Sequence, residues 1–131
     1  MTEWSSDELS SIEGADELDL ASVRRDGTLR NPVTIWVVRH GDDLYVRSVN
    51  GRTAAWFRGT QVRHEGHIQA GGVDKDVTFV EESDPAINEQ IDAAYRTKYR
   101  QSGTRYVNPM VAPEARAASI KLVPRGQNVK A

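Results

Sequence analysis

Residues 33 to 38, Val-Thr-Ile-Trp-Val-Val, are apolar or β-branched at every position. A strand with one wet face alternates between apolar and polar residues. An unbroken run this short, bounded by turn residues, is a strand covered on both sides. Pro32 cannot donate to a ladder, so it marks the entry of the strand. Whatever fold forms must place a layer on each face of this segment.

The neighbouring segments supply the strands. Residues 17–25 alternate, with Leu18, Leu20 and Ser22 on one face, and Asp26-Gly27 is a tight-turn pair. His40-Gly41-Asp42-Asp43 makes a second turn into a third strand, 44–49. Two consecutive hairpins form a meander. Further on, 61–70 reads as a strand with Val62, His64, Gly66, Ile68 and Ala70 on one face. Gly71-Gly72 then turns the chain into a fifth strand at 76–82, and 116–124 is a sixth.

Helices sit between these strands. Residues 1–15 hold a short one, with Ser5 and Glu8 as a capping box, Leu9 and Ile12 as its apolar edge and Gly14 as its end. Thr53 is a plausible N-cap for a second. Asp84-Pro85 starts a third, whose stripe of Ile87, Ile91, Tyr95 and Tyr99 runs about four turns before Gly103. On that stripe the two tyrosines read as core. Residues 104–115, with two prolines, read as a loop, and 126–131 as a frayed tail. Six antiparallel strands close on themselves to hide their edges. The expected fold is mainly β with peripheral helices: a six-stranded closed or split barrel, one domain over 1–131.

Composition narrows the function. With no cysteine there are no disulfides, thiolate metal sites or thiol nucleophiles. No apolar run approaches the roughly 20 residues of a membrane span, and the acidic N-terminus has the wrong sign for a targeting segment. A cytoplasmic protein is expected. Net charge is −2, but residues 1–20 carry seven acids and no Lys or Arg, while residues 21–67 carry eight arginines against four acids. That local excess suits an anion and is too weak for nucleic acid. His64-Glu65-Gly66-His67 lacks the four-residue helical spacing of a zinc pair, so no metal site is expected. His64 is expected to pack beside Val62 and Ile68, with His67 solvated or at an interface. No Ser/His/Asp set, Walker loop or dinucleotide fingerprint is present, and no catalytic residue is assigned. A bound cofactor would have to carry any chemistry.

The candidate site is Arg-Ser-Val-Asn-Gly-Arg-Thr-Ala-Ala-Trp-Phe-Arg-Gly, residues 47–59. A strand ends at Asn50-Gly51 and a helix begins after Thr53. Unpaired N–H groups at a helix start, beside Arg52, make an anion site. The other reading is a basic turn with Trp56 and Phe57 as core anchors.

Residues 23 to 59 resemble the core of flavin- and deazaflavin-binding split-barrel proteins, and in particular the deazaflavin-dependent nitroreductases. The resemblance lies in Arg24-Arg25-Asp26-Gly27-Thr28-Leu29-Arg30, in Pro32 before the 33–38 strand, in Ser48-Val49-Asn50-Gly51 and in Ala55-Trp56-Phe57. Over 3–126 the chain resembles a small uncharacterised bacterial family within that pyridoxamine-phosphate-oxidase-like superfamily. The resemblance implies a homodimer that holds FMN or the deazaflavin coenzyme in a groove between subunits. It makes Arg47, Ser48, Asn50 and Arg52 the phosphate ligands, Trp56 the groove wall and Arg58 a further contact. It implies an oxidoreductase passing a hydride to a small electrophile of nitro or quinone type. Two positions depart from the pattern: Asp26 stands where a serine is usual, and the lysine before Ala-Trp is missing, with Arg52 as its stand-in. The alternative is a cofactor-free dimeric module, anion-binding or structural, on the same barrel.

Overall fold

The computed structural model describes residues 3–125, so the expected frayed tail at 126–131 lies outside the described residues. Helix α1 (Ser6–Glu13) is capped as its sequence dictates. Ser5 Oγ accepts from the Glu8 N–H at 3.1 Å, and Glu8 Oε1 accepts from the Ser5 N–H at 2.9 Å. The strands are β1 (Leu18–Ser22), β2 (Val33–Ile35), β3 (Val38–His40), β4 (Asp43–Arg47), β5 (Glu65–Ala70), β6 (Val73–Glu81) and β7 (Ser119–Pro124). Between them lie α2 (Ala55–Arg63), α3 (Pro85–Lys98), α4 (Thr104–Met110) and α5 (Pro113–Arg116).

The strand count is seven rather than six, because the 33–38 run does not form one strand. It breaks at Trp36-Val37 into β2 and β3. All neighbours pair antiparallel in the order β2-β1-β5-β6-β7-β4-β3, so the two halves of the broken run form the two edges. Ile35 and Val38 are three Cα steps apart, a reach of at most about 11 Å. The sheet must therefore curl until its edges are neighbours.

The end of α3 explains the break. Tyr99 Oη accepts from the Val37 N–H at 3.2 Å and lies 3.1 Å from its carbonyl, to which Lys98 Nζ donates at 2.7 Å. Backbone groups that leave a ladder in the interior must find partners elsewhere, and these two side chains supply them. Trp36 stacks on Tyr99, with ring centroids 3.8 Å apart and planes 1° from parallel. Burial pushes the Tyr99 hydroxyl up to about 12, so it stays protonated and able to donate.

Inside the curled sheet, Leu18, Leu20, Leu44, Val46, Ile68, Val77, Phe79, Ile120 and Leu122 pack with Phe57 of α2 and Leu9 and Ile12 of α1. A second cluster lies outside it. There Val38 and Tyr45 sit under Ile91 and Tyr95 of α3, Tyr99 at its C-terminal cap, and Val107 and Met110 of α4. Strand β4 is thus buried on both faces. Its alternation sends Leu44 and Val46 inward and leaves Tyr45 and Arg47 for the helical layer.

Three further expectations are corrected. The helix expected at Thr53 starts after Ala54 and runs on to Arg63, so Val62 is an exposed helical residue and no strand partner. His64 ends that helix in the left-handed region at φ 58°, its N–H donating to the Thr60 carbonyl, and does not pack beside Val62 and Ile68. The two-proline loop is helical: Pro113 opens α5, where its missing N–H costs nothing, and Pro109 falls next to the last residue of α4.

His67 is half-buried on β5, between Asp76 at 2.7 Å and Asp74, both on the paired strand β6. Burial disfavours the charged ring, but the hydrogen bonds to Asp76 and Asp74 outweigh it and raise the His67 pKa. A raised folded-state pKa contributes stability that is complete below about pH 6.5, the unfolded value, and is lost as pH rises through the folded value. Urea midpoints of the wild type and of His67→Gln should therefore differ most near pH 6 and converge at alkaline pH. Parallel curves would show that the imidazolium contributes nothing.

Candidate functional site

Arg47 was the first phosphate candidate, and the fold takes it out of reach. It is 1 % exposed, on the face of β4 that α3 covers. A guanidinium has five N–H donors, and all five are committed. Nε donates to Ser119 Oγ at 2.8 Å. One terminal nitrogen donates to Asp92 Oδ1 at 2.5 Å and the Met110 carbonyl at 2.9 Å. The other donates to the Asn88 carbonyl at 3.0 Å and Asn88 Oδ1 at 2.9 Å. Nothing remains for an external anion. Asp92 also accepts from Arg116 on its other oxygen. Burial alone would raise the Asp92 pKa, but hydrogen bonds from Arg116 and Arg47 overcome it and hold the carboxyl below its usual range.

Ser48 is likewise interior, at 1 % exposure, and its hydroxyl finds no partner among the described residues. Asn50 and Arg52 lie at the surface, in and beside a 3₁₀ turn at Gly51–Thr53. Arg52 is tied down: one terminal nitrogen donates to Glu81 Oε1 at 2.7 Å and to the Ala117 carbonyl at 3.0 Å, and its guanidinium sits 5.1 Å from the Phe57 ring centroid. The Arg52 hydrogen bond, with a second from Gln61, lowers the Glu81 pKa. Glu114 closes the other side of the turn. A Cβ built on Gly51 (φ 78°) would meet Glu114 Cγ at 2.6 Å and its Oε2 at 3.3 Å. Two carboxylates thus flank the turn expected to hold a phosphate. Arg58 is exposed on α2.

Trp56 does line a cavity. A pocket of about 330 Å³ lies between Thr34, Ile35 and Trp36 of the broken run, Arg47 and Val49, Trp56 of α2, and Tyr106 and Met110 of α4. Of the six predicted contacts only Arg47 and Trp56 reach it, and Arg47 does so with its charge already balanced. Trp36 is held flat by its stack on Tyr99. The size is at the lower end for small-molecule sites, and the lining is the usual apolar and aromatic kind. One planar ring system fits that description. No carboxylate, histidine or lysine is in the lining, so this chain offers no such acid or base there.

Sequence reasoning missed Trp36 and Tyr106, one read as strand core and the other as loop. It also missed Asn88 and Asp92, which sit four apart on α3 and are buried with Ile91 and Tyr95. A carboxylate inside an apolar stripe was the available signal, because a buried carboxylate needs a cation.

Among the described residues no helix is long and apolar enough to cross a membrane, and no cluster of His, Asp or Glu could hold a metal. No protein of curated function matches the chain. Its fold is similar to that of several solved proteins. One is a candidate pyridoxamine 5′-phosphate oxidase from Listeria innocua, with 17 % identity, TM-score 0.62 and 90 % of each chain covered. Another is an F420 reductase, with 18 % identity and TM-score 0.56, covering 91 % of this chain and 92 % of that one. A third is a FAD-binding protein from Mesorhizobium loti, with 17 % identity and TM-score 0.58, covering 94 % and 91 %. The curled antiparallel sheet is thus the split-barrel fold of these proteins. Residues 8–122 match the model of a family described as "Uncharacterized protein conserved in bacteria (DUF2255)", and the chain belongs to that family.

Proposed function

We propose that the chain, as a homodimer, binds the ring of a flavin or deazaflavin cofactor in the Trp36–Trp56–Tyr106 pocket and serves as an oxidoreductase for small electrophiles of nitro or quinone type. The observation that carries this reading is the pocket itself: two tryptophans and a tyrosine around a space for one planar ring. The split-barrel neighbours named for F420 and FAD support it. When bound, such a cofactor supplies the hydride. The chain's own part is to seat the ring, with Trp56 as one wall and Trp36 held rigid by Tyr99, and to keep water from its apolar side. The pocket is open on one side, and the second subunit would complete it.

The test is equilibrium titration of the purified protein with FMN and with the deazaflavin coenzyme, read by cofactor fluorescence. Binding in the micromolar range is expected, corresponding to about −8 kcal/mol. A second reading is a cofactor-free dimeric module. It is favoured by Arg47 having no spare donor and by Glu81 and Glu114 flanking residues 51–53. Binding of neither compound would leave this second reading in place.

A further inference from the structure

We infer that this pocket takes its ring without a phosphate: an uncharged heteroaromatic of the riboflavin type rather than its phosphate ester. The inference rests on the ring-binding reading above and concerns what the ring carries. Of the groups that should grip a phosphate on the 47–58 segment, Arg47 and Arg52 are paired with carboxylates, Ser48 is buried, and Asn50 and Arg58 are exposed. Arg47 spends its five donors on Ser119, Asp92, Met110 and Asn88. Ser48 is buried, its hydroxyl without a partner among the described residues. Arg52 is paired with Glu81, and the Glu114 side chain lies against Gly51. A dianionic phosphate at that turn would meet two carboxylates and would share Arg52 with one of them, since Glu81 and the Ala117 carbonyl engage a single terminal nitrogen of its guanidinium.

Two further positive features remain beside the exposed Arg58. The N-terminal end of α2 has no side-chain cap, since Ala54 is its N-cap. Arg105 rests over the ring of Tyr106, a lining residue, 5.8 Å from its centroid. Both are near solvent: Ala55 and Arg105 are exposed. Exposed charges of this kind change affinity only a few-fold. A built cradle with two or three charge-assisted hydrogen bonds would change it by a hundredfold or more. Beside Thr34 and the charge-balanced Arg47, the pocket walls are Ile35, Trp36, Val49, Trp56, Tyr106 and Met110, which favour a neutral ring.

The experiment compares dissociation constants of riboflavin and FMN for the full-length protein in low-salt buffer, by quenching of flavin fluorescence. Riboflavin binding with FMN no more than tenfold tighter is the expected result. FMN tighter by tenfold or more would overturn this inference while keeping the ring-binding reading, because a phosphate site would then exist. Binding of neither would overturn the ring-binding reading, and this inference with it.

Discussion

Asp92→Ala should cost about 3–5 kcal/mol of unfolding free energy, the usual loss when one partner of a buried ion pair is removed. That is a large fraction of the roughly 5–15 kcal/mol that holds a domain together. The reason lies with Arg47. Its side chain is fully buried and that of Asp92 is 4 % exposed, so deleting the carboxylate leaves a cation in the interior with no counter-charge from Asp92. The neutral acceptors Ser119, Asn88 and Met110 would remain, yet none carries a negative charge. Replacing both partners, Arg47→Met with Asp92→Leu, should restore part of the loss, since no unpaired charge stays buried while the Asn88 and Met110 carbonyls lose their Arg47 donor. Urea unfolding of the two variants checks this. A loss below about 1 kcal/mol for Asp92→Ala would mean that Arg47 reaches water and is free for a ligand. Acid should act in the same direction. The folded-state pKa of Asp92 is depressed, so its contribution is complete above the unfolded value near 3.9 and fades as pH falls through the folded one.

The neighbouring residues Phe57 and Trp56 should respond to alanine in opposite ways. Phe57 is fully buried among the residues inside the curled sheet, and Phe57→Ala should destabilise by about 3–5 kcal/mol through lost burial and the cavity left behind. Trp56 is half-buried and turned to the pocket, edge-on to Phe57 with centroids 6.2 Å apart. Trp56→Ala should leave much of the stability but lose about 1–3 kcal/mol of ring stacking, roughly ten- to a hundredfold in affinity. Thermal melts and flavin titrations on both variants separate the effects. Equal flavin affinity of Trp56→Ala and wild type would remove Trp56 from the proposed site.

This contrast shows how far the sequence could be read. The stretch 47–59 announced a basic turn followed by aromatics, and the two aromatics part company in the fold. Phe57 is a core anchor and Trp56 is a pocket wall, a division set by a single helical step of about 100°. The carboxylates Glu81 and Glu114 lie 29 and 62 positions beyond Arg52, and no local pattern in 47–59 could announce them.

By itself the sequence determined the features whose energetics are local. Asp26-Gly27, Gly41 and Gly71-Gly72 turn where expected because each glycine takes a positive φ that other residues resist. Ser5 and Asp84 cap their helices because the cap lies within three residues of the N–H groups it satisfies. Alternation in β4 assigned Leu44 and Val46 to one face and Tyr45 and Arg47 to the other, as period-two geometry requires. Tertiary structure alone decided what covers those faces. Arg47 became an interior cation because Asp92, 45 positions away, came to lie over it, and the 33–38 run broke because Tyr99, 62 positions from Val37, could take over its backbone hydrogen bonds. A buried charge or an unpaired amide is tolerable only when a distant chemical partner meets it, and that meeting is a property of the closed barrel and its helical cover.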